Sequence, residues 1–152
     1  MLNCTTTNRL LFAKNKGLID NLSAETCALG FYDFKCFENL GMLKFTICNP
    51  EKSVVQKAFE LNYLTFVDSD GIKRNRKKKF DNTFVNITKS RKETFFYIAT
   101  AFFITKRNGV IIITGDNKLG IDFYLKKIRS IMNLNFFSKS HGKIFFLKKS
   151  KF

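Results

Sequence analysis

Few side chains in this sequence are placed to do chemistry. The four cysteines stand at 4, 27, 36 and 48, and no two form a C-x-x-C pair. A single histidine, His141, cannot complete a zinc finger. A cysteine nucleophile needs a histidine partner, and His141 reads better as a polar turn residue. Among residues 73–152 the carboxylates are Asp81, Glu93, Asp116 and Asp122, which give no persuasive acid–base pair. Gly115 and Gly120 have the glycine spacing of a phosphate loop. Leu119 and Ile121 flank the second glycine, however, so the Gly-Lys-Ser/Thr ending is missing and a tight strand-to-helix turn is expected.

The chemistry that stands out is charge. Lys73, Arg74, Arg76, Lys77, Lys78 and Lys79 put six cations into seven residues. Residues 1–72 hold 7 basic and 8 acidic side chains, and residues 73–152 hold 20 basic and 4 acidic. All of the net +15 therefore comes from the second half. AT-rich codon usage enriches lysine, but it would enrich glutamate too, and glutamate is scarce. Such asymmetry points to a polyanion, most often nucleic acid. Clustered cations release counterions from phosphate and bind with little sequence preference. Lys126, Lys127 and Arg129 could extend the patch, as could Lys143, Lys148, Lys149 and Lys151 at the tail. The 19 phenylalanines mostly fit core spacing, and no exposed pair reads as a base-stacking platform.

The elements that must position these residues follow from pattern. At 152 residues and 45% hydrophobic content the chain suits one domain with a real core and is not disordered. Residues 9–22 have short helical potential. Thr26–Phe31, Met42–Cys48, Leu64–Val67, Thr83–Ile87 and Val110–Thr114 read as strands. Asn49-Pro50 suits a helix start, with Asn49 as the cap. Residues 68–82 read as a basic loop. Ser90 and Glu93 form a capping box for a helix that runs to about Lys106 and ends at Asn108-Gly109. Asp116 or Asn117 would cap the next helix, whose apolar face is Ile121, Leu125, Ile128 and Met132. Residues 135–139 and 143–148 flank a Ser-His-Gly turn as a terminal hairpin. Strands alternating with helices predict an α/β fold with a mostly parallel sheet flanked by helices.

The apolar run Phe95–Ile104 is far short of the roughly 18 residues of a membrane span. A secretory h-region is not evident. Reduced, buried thiols in a cytoplasmic protein, with no metal and no membrane, are the expectation.

The stretches 80–121 and 138–146 resemble a known family. They are similar to the N-terminal domain of the bacterial small-subunit (16S) ribosomal RNA guanine-N2 methyltransferases. The matching residues are Lys89, Lys92, Glu93, Gly109, Gly115, Asn117, Gly120 and Ile121, then Ser138, Lys139, His141, Gly142, Lys143 and Phe145. Residues 9–22 also resemble the family's opening. The resemblance implies a degenerate class I methyltransferase (Rossmann-like) fold ending in an antiparallel hairpin. It implies ribosomal RNA as partner. In that family a second, C-terminal domain binds S-adenosylmethionine through a D-x-G-x-G-x-G-type loop and holds the target amine with an N-P-P-F/Y-type motif.

Neither motif is evident here. Gly30-Phe31-Tyr32-Asp33-Phe34 follows the first strand, and Asn86-Ile87-Thr88-Lys89 follows the fourth. The chain is therefore expected to have no cofactor site or catalytic residues of its own. It would act as an accessory or truncated domain, assisting a separate catalytic domain and holding ribosomal RNA. The alternatives are a free-standing basic RNA-binding or ribosome-assembly module, and a small methyltransferase with an unusual cofactor loop.

Overall fold

The computed structural model describes residues 4–19, 25–40, 45–68, 72 and 79–149. Val110–Thr114 is the apolar centre of a long strand, Thr105–Asp116 (β5), and is buried throughout. A strand apolar on both faces has to be covered on both. It is flanked by Phe80–Asn86 (β4), which runs parallel, and by Gly142–Lys148 (β7), which runs antiparallel.

Beyond β4 lie Thr26–Leu29 (β1), Phe45–Cys48 (β2) and Leu64–Phe66 (β3), all parallel. Beyond β7 lies Asn135–Lys139 (β6), antiparallel to it. The described residues thus form a seven-stranded sheet in the order β3-β2-β1-β4-β5-β7-β6. This is the expected α/β architecture, mostly parallel with a C-terminal antiparallel hairpin.

Helices cover both faces. Arg91–Ile104 (α3) and Ile121–Arg129 (α4) bury Tyr97, Ile98, Ala101, Ile121, Tyr124, Leu125 and Ile128 against one face. Cys4–Asn15 (α1), the 3-10 turn Lys35–Leu40 and Lys52–Glu60 (α2) cover the other. That second core is aromatic. Phe37 stacks on Phe45 with centroids 4.3 Å apart and meets Phe31 at 5.0 Å.

Several boundaries differ from the sequence reading, and four of them have a clear physical reason. The N-terminal helix begins at Cys4, where threonine-rich residues gave no periodic signal. Asn49 is not the cap of α2; Glu51 is. The Asn49 side chain is buried, accepts from the Glu51 N–H at 2.9 Å and donates to the Phe31 carbonyl at 2.9 Å. Strand β4 starts at Phe80, inside the stretch read as loop, because the fully buried Phe80 pairs with Thr105. Helix α3 ends at Ile104, before Lys106. There Thr105 turns its hydroxyl back to the Ala101 carbonyl at 2.5 Å and enters β5.

Ser90 does cap α3, accepting from the Glu93 N–H at 3.1 Å. Glu93 does not complete the box. Its carboxylate accepts from the Tyr97 hydroxyl at 3.2 Å.

Candidate functional site

In an open α/β sheet, ligands bind outside the carboxyl ends of the strands where the winding direction reverses. Here the reversal lies between β1 and β4. Gly30 leaves β1 with φ of +81°, in the left-handed region that glycine tolerates. A side chain there would collide with the Asn86 carbonyl at the end of β4. The Asn86 amide in turn donates to the Gly30 carbonyl at 3.2 Å. The two strand ends are thus closed on each other.

Phe31 and Phe34 then fold inward, 2% and 3% exposed, onto Phe37. The cavity that remains is about 130 Å³, walled by Thr6 and Thr7 of α1, by Phe31, Tyr32, Asp33 and Cys36, and by Asn86. Ligand pockets usually start near 300 Å³. At the end of β2 stand Cys48 and Asn49, and the Asn49 amide is committed to the Phe31 carbonyl. Cys36 is buried, and burial with the charge of Asp33 pushes its thiol up to about 12. Burial of this kind disfavours the thiolate, the nucleophilic form. Cys27 and Cys48 are buried thiols too. Among the described residues no three His, Cys, Asp or Glu side chains gather as metal ligands, and no helix is long and apolar enough to cross a membrane.

The two conspicuous motifs meet at one corner of the sheet. Gly115 pairs with Lys143, and Asp116 with Gly142. The Asn117 N–H donates to the His141 carbonyl at 2.8 Å. Gly120 takes φ of +82° at the start of α4. Ser138 and Lys139 are exposed on β6, and the exposed His141 shares the hairpin turn with Ser140, at φ of 58° and 50°. Lys143 ion-pairs with Asp122 at 2.6 Å.

Arg9 locks the corner from α1. It is fully buried and donates to Thr114 Oγ1 at 2.6 Å, to the Ser140 carbonyl at 2.9 Å and to Asp116 at 2.9 Å. Burial lowers its pKa, with Asp116 opposing. The motif residues therefore lie in a turn, in the paired strands beside it or in an ion pair. Asp116 faces Arg9 and makes no side-chain cap bond.

The predicted basic residues separate. Lys73, Arg74, Arg76, Lys77 and Lys78 lie outside the described residues. Lys79 holds the C-terminus of α3, donating to the Phe103 carbonyl at 2.6 Å with its ammonium 4.4 Å from the Phe103 ring. Lys149 does not extend the patch. It is buried, donates to the Thr105 carbonyl at 2.8 Å, and has a lowered pKa from burial and then from Lys79. Lys126, Lys127 and Arg129 are exposed together on α4.

Solved structures share this architecture. An rRNA methylase from Streptococcus thermophilus aligns with a TM-score of 0.68 at 10% identity, over 99% of both chains. A ribosomal protein L11 methylase from Lactobacillus delbrueckii subsp. bulgaricus aligns at 0.70 and 12% identity, over 99% of this chain and 81% of that one.

The chain has the class I methyltransferase fold.

A T. thermophilus 16S rRNA N2 methyltransferase, solved with AdoMet and guanosine, aligns at 0.62 and 10% identity over 84% of this chain. This chain spans 35% of the length of that enzyme. No family model matches the sequence, and no curated protein does.

Within the methyltransferase fold, Gly30 is the one glycine of the turn after β1. Phe31, Tyr32, Asp33 and Phe34 follow it. Sequence reasoning missed Arg9. The one available signal was an arginine in an otherwise apolar Leu-Leu-Phe-Ala context, and that pattern does not distinguish a buried cation from a solvated one.

Proposed function

We propose that this chain is a methyltransferase-fold domain without an S-adenosylmethionine site of its own, acting on ribosomal RNA by binding it beside a separate catalytic domain. The observation that carries this reading is the filled crevice between β1 and β4. Its free volume of about 130 Å³ lies below the roughly 300 Å³ at which ligand pockets usually start. At the end of β2 the Asn49 amide is spent on the Phe31 carbonyl, and the exposed Glu51 follows as the cap of α2. Ribosomal RNA as partner is supported by the basic second half and by rRNA methylases among the structural neighbours. Docking of a further domain is supported by the α2–β3 edge, where Phe59 is 64% and Leu64 62% exposed. His141, Asn117 and the two glycines of the 115–120 turn are structural in this reading.

Calorimetric titration with S-adenosylmethionine, beside an active methyltransferase as control, tests the proposal. No heat and no thermal shift are expected. Micromolar binding would overturn it.

A second reading has one observation in its favour. The S. thermophilus rRNA methylase is matched over 99% of both chains, so a chain of this length can carry the complete fold. That reading, a small methyltransferase in its own right, requires the same titration to give binding. A free-standing RNA-binding module shares the expected null result and differs in needing no catalytic partner.

A further inference from the structure

Helices α3 and α4 lie side by side on one face of the sheet, with the Phe95 ring 5.1 Å from Tyr124 and 5.9 Å from Phe123. Five cations on these two helices are exposed: Arg91, Lys92, Lys126, Lys127 and Arg129. Their two carboxylates are both engaged. Glu93 accepts from Tyr97, and Asp122 pairs with Lys143. With five exposed cations against two carboxylates, one of them ion-paired, the face carries an excess of positive charge.

Its cations are arranged around rings. The Arg91 guanidinium lies 4.0 Å from the Phe123 centroid, and the Lys127 ammonium 5.6 Å from the same ring. Arg129 lies 5.6 Å from the ring of Phe136, which projects from β6 and is 37% exposed. A groove of about 410 Å³ on α4 is lined by Lys126 and Arg129 together with Asp122, Leu125 and Ser130.

A polyanion alone would be satisfied by charge. Guanidinium groups beside aromatic rings also offer flat surfaces to unpaired bases, whose faces are hidden in a duplex. We infer that the α3–α4 face binds a single-stranded segment of RNA, with bases against Arg91–Phe123 and Arg129–Phe136 and phosphates on Lys126 and Lys127. This inference rests on the RNA-binding part of the reading above and assigns it a surface.

The test is fluorescence anisotropy with a short labelled RNA single strand and with the same sequence as a duplex. The wild-type chain is compared with Phe123→Leu, which keeps apolar bulk but removes the ring, and with the surface variant Lys126→Glu/Lys127→Glu. The single strand should bind more tightly than the duplex. Phe123→Leu should weaken single-strand binding roughly tenfold, as expected for one lost stack. The charge reversal should weaken it at least as much and flatten its salt dependence.

If wild-type chain binds RNA and neither variant weakens it, the inference is overturned, and the RNA-binding reading survives on another surface. If neither RNA form binds, both fall. Equal affinity for anionic vesicles, lost on charge reversal but indifferent to Phe123→Leu, would overturn it in favour of a membrane surface.

Discussion

The guanidinium of Arg9, on the first helix, lies 2.9 Å from the carboxylate of Asp116, at the end of β5, and Arg9 is wholly shielded from water. Thr5 also donates to that carboxylate, at 3.0 Å. A single buried cation thus ties α1 to the strand end and hairpin turn that carry the chain's most recognisable motifs. Removing one partner leaves the other charge buried, which costs about 3–5 kcal/mol. Asp116→Ala should therefore lower stability by about 3 kcal/mol in urea unfolding. The double variant Arg9→Met/Asp116→Ala should recover part of that loss, because the stranded charge is gone.

The Ser140-His141 turn gives a prediction of opposite sign. Both residues have positive φ in a two-residue hairpin, the geometry for which Asn-Gly is the favoured pair. Their interactions with Arg9 and Asn117 use main-chain carbonyls, which substitution leaves in place. Ser140→Asn/His141→Gly should stabilise the protein by about 0.5–1 kcal/mol, read as a raised thermal midpoint. A fall would show that the His141 side chain has a role the fold does not reveal.

Alkaline pH should unfold the protein earlier than its charge alone implies. Burial, with Asp33 adding to it, raises the Cys36 thiol from 9.0 to about 12. Tyr32, Tyr63 and Tyr97 are also raised, burial being the first cause in each. The fold prefers the neutral form of each group. The stability linked to Cys36 is fully present below about pH 9 and is lost as pH rises toward 12. Urea midpoints measured against pH should decline through that window. Cys36→Ala should decline less steeply than wild type.

Gly30→Ala tests why a glycine follows β1. With φ of +81° and the Asn86 carbonyl in the way, alanine brings both backbone strain and a clash. A loss of at least about 2 kcal/mol is expected by chemical denaturation, with no ligand present. A stable variant with altered S-adenosylmethionine binding would reopen the crevice as a cofactor site.

Local pattern by itself determined much of this protein. Val110–Thr114 had to be a covered strand because it is apolar on both faces. Ser90 had to start a helix, and residues 135–148 had to form a hairpin, because alternation and turn residues act within a few positions. The parallel sheet followed from the alternation of elements. The clustering of cations in the second half is a property of composition alone.

Tertiary structure decided the rest, since it depends on residues distant in sequence. Arg9 and Asp116 are 107 positions apart, and burial of a cation is set by what closes over it. Lys149 points inward because the Thr105 carbonyl waits there, 44 positions away. Phe31 and Phe34 looked like bulky residues in a loop, and only the tertiary structure turns them inward onto Phe37. Lys126, Lys127 and Arg129 are basic in any reading. Arg91 and Phe123 became part of the same surface only when α3 packed beside α4.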